Sequence, residues 1–272
     1  MTRPTPLGRD LPTWALIPFV LLTFAITWGL FAGFVAYQEQ VEAATGPLSG
    51  RHPGFVLATW APAISGVTMV LAFGGLRGLR GYLSRLLLWR VSWPWVLFVL
   101  LGVPLIFAIG SLIKGNLFSD PFPFDALAPL LGTVAFMAIL GPMEEFGWRG
   151  VAQPILQRHV APLFAGVIIG TVWGLWHLPA FLLSGLAQSS WSFGPFLLGN
   201  IALAVLVAPL FNAARGSILW AMLFHWQVNM PMWPDAQPYD TWVFAGAAVV
   251  VVWLNRKTML RRDGAVTRVI PA

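Results

Sequence analysis

Eight apolar runs joined by short connections constrain this chain more than any other feature. They lie at about residues 12–36, 53–75, 92–113, 127–148, 161–184, 194–214, 216–232 and 241–255. Most approach the ~20 residues that a helix needs to cross ~30 Å of hydrocarbon at ~1.5 Å per residue. The seventh and eighth are shorter. Only 10% of the 272 residues are charged and 58% are hydrophobic, whereas a soluble domain carries about 25% charged residues. So few charges cannot clothe a water-facing surface, and lipid is the solvent this composition requires. Many of the 15 Trp stand near the ends of the runs, where an indole buries its ring and wets its N–H. The expectation is an all-α fold, a polytopic transmembrane helix bundle of about eight spans.

The basic residues test that division. With the N-terminus in the cytoplasm and the sides alternating, the inner segments hold fourteen of the sixteen Lys and Arg. They are Arg3 and Arg9; Arg77, Arg80, Arg85 and Arg90; Arg149 and Arg158; Arg215; and Arg256, Lys257, Arg261, Arg262 and Arg268. The outer segments hold Arg51 and Lys114. That asymmetry is the positive-inside pattern for eight spans with both termini cytoplasmic, and one missed helix would scramble it. The net charge of +6 therefore reports topology, not a nucleic-acid partner. Residues 1–272 read as a single membrane domain, with a last span at 241–255 and a basic cytoplasmic tail at 256–272. The polar start, Met1 to Asp10, precedes a run too long for a signal peptide and without a small-residue cleavage pattern, so that run is expected to be retained. There is no cysteine, which removes disulfides, thiolate metal sites and a cysteine nucleophile.

Ionisable groups inside spans are costly and mark function. Two acidic residues fall there, in Gly141-Pro142-Met143-Glu144-Glu145-Phe146-Gly147-Trp148-Arg149-Gly150, on a helix expected to run on toward Pro154. Adjacent residues point about 100° apart on a helix, so the two carboxylates cannot share one task. Arg149 follows Glu145 by four residues, the favourable spacing for a salt bridge. Glu144 faces elsewhere with no local cation and is the candidate general base. His177 lies in Trp173-Gly174-Leu175-Trp176-His177, with Trp173 stacked one turn before it. His225 and Asn229 share one face of another helix, in His225-Trp226-Gln227-Val228-Asn229. A lone apolar-helix histidine is usually a packing residue, but three helices that each present polar groups at membrane depth can meet in a bundle interior. His52 and His159 read as solvated or headgroup residues, and Asn200 as an interhelical hydrogen bond. Asp235 and Asp240 fall outside the spans. A His-Glu-x-x-His zinc helix and a Gly-x-Ser elbow are both absent.

The order Glu-Glu-x-x-x-Arg, aromatic-x-x-x-His, His-x-x-x-Asn resembles the CPBP family, the type II CAAX prenyl endopeptidase group that also includes Abi and lysostaphin-resistance-like proteins. The matched residues are Glu144, Glu145 and Arg149; Trp173 and His177; and His225 and Asn229. They span a core at about 125–232, and residues 1–125 carry no motif. Trp173 stands where the family usually shows Phe, a position read as packing. The resemblance implies an intramembrane endopeptidase, often labelled a metalloprotease, with a cavity open to the cytoplasm. It sits in the cell membrane, inner or plasma, of a prokaryote. The implied substrate is a membrane-associated protein or peptide, prenylated CAAX-type proteins among them, and the surrounding partner is membrane lipid. In the implied mechanism Glu144 and His177 activate a water, while His225 and Asn229 hold the oxyanion.

No cofactor is favoured. Zinc bound by Glu144, His177 and His225 is the alternative use of the same residues. Asn229, a poor zinc ligand and a good oxyanion donor, favours the metal-free form. Two further readings stand beside the peptidase: a non-catalytic membrane scaffold or bacteriocin-immunity protein, and a proton-coupled transporter. The sequence offers no inverted repeat for the latter.

Overall fold

The computed structural model describes residues 10–119 and 122–271; Arg3, Arg9, Asp120 and Ala272 lie outside them. The described residues form helices joined by turns, with no β-strand among them. Six helices are long and apolar enough to cross a membrane: α1 (Thr13–Ala36), α2 (Ala61–Leu87), α3 (Trp93–Lys114), α4 (Leu127–Leu156), α5 (Pro162–Leu182) and α6 (Phe193–Ala213). Two shorter apolar helices follow, α7 (Ile218–Val228) and α8 (Tyr239–Leu254). The chain is thus an all-helical, multi-pass membrane protein. Helices satisfy every backbone group internally, as lipid demands, and side chains such as Leu101 and Val249 are more than 60% exposed on the outside of the bundle.

The apolar runs locate the helices well and their ends less well. The second run splits into a short helix, Pro53–Thr59, and α2, which continues to Leu87. Arg77, Arg80 and Arg85 therefore belong to the helix and not to a loop. His52, expected in solvent, is buried and caps the Pro53–Thr59 helix: its Nδ1 accepts from the Gly54 N–H at 3.1 Å, and its Nε2 lies 2.7 Å from Thr45 Oγ1. His159 is exposed as expected, 3.0 Å from Thr13 Oγ1.

The two ends of the bundle are built differently. At one end the described N-terminus meets the C-terminal segment. Asp10 Oδ1 accepts from the N–H groups of Val269 and Ile270 at 3.1 and 3.0 Å, and Asp10 Oδ2 pairs with Arg158 Nη2 at 2.8 Å. Arg158 also donates to the carbonyls of Leu11 and Thr267, Gln157 to that of Val266, and Arg85 to that of Arg268. Val269 and Ile270 are fully buried. The segment after α8 is therefore packed onto the bundle. At the opposite end Lys114 pairs with Asp235 at 2.5 Å, Arg51 donates to Thr133, and Leu48 packs against Leu183 and Leu186.

Between these ends α5 and α6 form the closest helix pair. Gly166, Gly170 and Gly174 make one face of α5, and a Cβ at Gly170 would stand only 2.5 Å from the Ile201 Cα. Small residues at that spacing let two helices approach without side chains between them. Trp173 and His177 project from neighbouring turns of α5, so this packing sets their depth.

Candidate active site

Helix α4 is interrupted where the carboxylates begin. Its first part ends at Ile139, and Leu140 takes φ −87°, ψ −96°. Pro142 has no N–H to continue the ladder and its ring opposes the preceding turn. The chain resumes as a tight turn, Gly141–Glu144, then a helical turn from Glu145 and a wide, π-type turn over Trp148–Ala152. Irregular helix of this kind often lies at functional sites. It turns Glu144, Glu145 and Arg149 into the bundle, where all three are at most 3% exposed. Arg149 is thus a buried residue, not a charge at the membrane surface.

Three helices bring the motif residues to one place. Glu144, Trp173, His177, His225 and Asn229 line a single cavity of about 360 Å³. Glu145 and Arg149 stand behind its wall. Glu145 pairs with Arg149, whose Nη1 lies 3.2 Å from both carboxylate oxygens, as the four-residue spacing predicts. Glu145 also reaches 80 residues along the chain: its Oε1 is 2.7 Å from His225 Nδ1. That contact was not legible in the sequence. The Arg149 guanidinium in turn lies over the Trp173 ring, 5.1 Å from its centroid.

The hydrogen bonds fix the histidines' tautomers. His177 Nδ1 is 2.8 Å from the Trp173 carbonyl, an acceptor only. Its N–H is therefore on Nδ1, and a neutral ring keeps a lone pair on Nε2. In the same way the Nδ1–H of His225 is directed at Glu145, so its Nε2 is the atom left to act in the cavity. Trp173 proves to be more than packing. Its Nε1–H donates to Glu144 Oε2 at 2.6 Å, a bond that Phe cannot make.

Gly141 was missed in the sequence although it stands three residues before Glu144. A Cβ there would lie 2.1 Å from Asn229 Nδ2 and 2.7 Å from His225 Nε2. Both nitrogens thus converge on the face of Gly141, which only a residue without a side chain leaves open. Asn229 is the residue that closes the 11-residue α7. At ~1.5 Å per residue that helix covers only about half of the hydrocarbon, so its end and its amide stop at depth. Asn200 also lines the cavity, but its amide donates to Phe196 on its own helix, not across helices. Asp240, read as outside the last span, lies in the first turn of α8, buried against the cavity.

For zinc the donors are not gathered. Among the described residues no group of three His, Cys, Asp or Glu is arranged to hold a metal ion. The Glu144, His177 and His225 set is thus not gathered as a zinc site among the described residues.

Comparison with known proteins agrees with the motifs. Residues 126–231 match the family model described as "Type II CAAX prenyl endopeptidase Rce1-like". The chain is 26% identical over 179 residues to CAAX prenyl protease 2 of Methanococcus maripaludis, an alignment covering 61% of this chain and 65% of that protein. It is 25% identical over 221 residues to lysostaphin resistance protein A of Staphylococcus haemolyticus, covering 78% of this chain and 55% of that protein. The chain thus spans somewhat over half to just under two thirds of these relatives. Glu144, His177, His225 and Asn229 all lie within the residues that match this model, and the resemblance to the type II CAAX prenyl endopeptidase group is borne out.

Proposed function

We propose that this protein is an intramembrane endopeptidase that cleaves a membrane-associated polypeptide in a prokaryotic cell membrane. The observation that carries the reading is the convergence of Glu144, His177, His225 and Asn229, from three helices, on one cavity. The Rce1-like match and a relative named as a protease support it.

Glu144 takes a proton from water, and His177 Nε2 accepts the water's other hydrogen. The water oxygen attacks the scissile carbonyl carbon, whose π electrons pass to oxygen. Asn229 Nδ2 and His225 Nε2 donate to that oxyanion. When the carbon–nitrogen bond breaks, the proton on Glu144 passes to the leaving amine. A donor fixed in such a site is worth ~3–4 kcal/mol of transition-state stabilisation.

The oxyanion role sets a condition on His225. A neutral ring has one N–H, and that one is on Glu145. For Nε2 to donate as well, the Glu145–His225 pair must hold one further proton. With that proton Nε2 donates into the cavity while Nδ1–H stays on Glu145. Glu145 thus acts as the counter-ion of an oxyanion donor.

An apolar groove of about 380 Å³ adjoins the cavity, sharing Phe31 and Pro179 with it. It suits the hydrocarbon part of a membrane-anchored substrate.

The test is turnover of a quenched, lipid-anchored peptide by purified protein in liposomes. Glu144→Gln should abolish it while the helical content and melting temperature stay near wild type. Full turnover by folded Glu144→Gln would remove Glu144 as the base. Metal content measured on the same samples separates a zinc-dependent form: stoichiometric zinc lost with Glu144, His177 or His225 would overturn the metal-free mechanism and leave the peptidase reading in place.

A further inference from the structure

The cavity and the positive charge lie at opposite ends of the bundle. The end that joins Asp10 to Val269 and Ile270 carries Arg77, Arg80, Arg85, Arg90, Arg158 and Arg215. It also carries the five basic residues after α8. The other end carries Arg51 and Lys114. The cavity belongs to this second end. Its rim comes from the α5–α6 connection, at Gln188 and Trp191, and from the α7–α8 connection, at Trp233 and Gln237. The lining residues from helices lie on the half that faces those connections, as do Thr27 and Phe31 late in α1, His177 late in α5, Phe196 early in α6 and Asp240 early in α8, or close to mid-helix, as do Glu144 in α4 and Leu203 in α6. Among the described residues, nothing from the arginine-rich end lines it.

Below Glu144 the way is closed. Trp148, Arg149, Val151, Ala152, Gln153 and Ile155 are all at most 2% exposed. They continue α4 from the carboxylates toward the arginine-rich end as a solid plug. Tyr82 seals it from α2 by donating to the Phe146 carbonyl. A hydrated path from that end to Glu144 would have to cross this layer.

Short loops rich in Lys and Arg stay in the cytoplasm. We infer that the cavity opens on the extracytoplasmic face, so that the polypeptide it admits is exported or membrane-anchored with its cleavage site outside. Naming that substrate class rests on the peptidase reading; the direction of opening does not. The resemblance alone implies the opposite, a cytoplasmic mouth. The charge distribution, read with the position of the cavity, overrides it here. A prenylated cytosolic protein would meet the plugged end.

The natural absence of cysteine gives a clean measurement. Three single-cysteine variants of the full chain are expressed in cells: Ser189→Cys beside the rim, Val228→Cys inside the cavity, and Asp263→Cys at the arginine-rich end. Intact cells are treated with a small anionic methanethiosulfonate that does not cross membranes, then opened and treated again. Ser189→Cys and Val228→Cys should react fully in intact cells, and Asp263→Cys only after opening. Reaction of Asp263→Cys in intact cells with Ser189→Cys protected would overturn the inference. So would a Val228→Cys that reacts only after opening, or never reacts in folded protein. Because labelling requires no turnover, an inactive protein with the expected pattern would refute the peptidase reading and leave the outward opening intact.

Discussion

Replacing Gly141 by Ala should separate catalysis from stability. The added methyl would stand 2.1 Å from Asn229 Nδ2 and 2.7 Å from His225 Nε2. Real Cβ contacts essentially never fall below 3.0 Å, so the amide must retreat by about an ångström or more. It can do so cheaply, since it is the far end of a half-buried side chain that faces a cavity. His225 has less freedom, because Glu145 holds its other nitrogen at 2.7 Å. The fold should therefore survive, with a small change in melting temperature. Turnover should not survive. A misplacement of ~1 Å in a catalytic group costs ~10²-fold, and loss of one oxyanion donor ~10²–10³-fold. Gly141→Ala is thus expected to lower kcat by about a hundredfold or more. The same methyl should do much less in an Asn229→Ala background, where the amide that it displaces is already gone, because groups that serve one charge act non-additively. The assay is turnover and thermal unfolding of the four proteins of that cycle. Full activity in folded Gly141→Ala, or strictly additive losses, would refute the placement of both donors at this glycine.

Two other substitutions probe the support behind the cavity. Trp173→Phe removes the N–H that Glu144 Oε2 accepts at 2.6 Å; since the family usually has Phe here, the variant should remain active, and the pH–rate profile should shift on its acid limb. Identical profiles would mean that the indole does not tune the base. Glu145→Gln should lower both stability and turnover. Arg149 and His225 lose their shared anion, and breaking a buried pair costs about 3–5 kcal/mol. A variant that is destabilised yet turns over normally below its melting temperature would show that Glu145 supports the fold alone.

Some of this architecture was legible in the sequence, for a physical reason. Lipid forces each span to be a continuous apolar helix, so the runs announced the helices and the charge pattern their alternation. The Glu145–Arg149 pair followed from helix spacing because both residues stand on one segment. What could not be read are contacts set by how helices meet. Glu145 and His225 are 80 residues apart, and no local pattern brings them together. Indole and phenyl pack alike in a sequence pattern, so the Trp173 N–H was invisible as a ligand of Glu144. The break at Leu140 had a local signal, Gly141-Pro142, which the hydrophobicity of the run obscured. The apolar pair Val269-Ile270 is too short to signal burial within so basic a segment, and its docking onto Asp10 needed the tertiary structure.

Arg149 explains why the motif needs two adjacent carboxylates and a cation four residues on. Under the proposed mechanism a single glutamate in this cavity would have to be base and counter-ion at once. Two at successive positions diverge by about 100°: Glu144 turns to the cavity and Glu145 to the interior. The guanidinium then touches both halves of the machinery. It pairs with Glu145, which orients His225 at 2.7 Å, and it lies over Trp173, which holds Glu144 at 2.6 Å. A lysine ammonium could neutralise Glu145 but offers no planar face to stack on the indole. In the proposed mechanism this one buried cation would link the base, Glu144, to the oxyanion donor, His225, two groups that come from different helices. The plug that carries it, fully buried from Trp148 to Ile155, makes that link rigid and at the same time closes the cavity on the arginine-rich side.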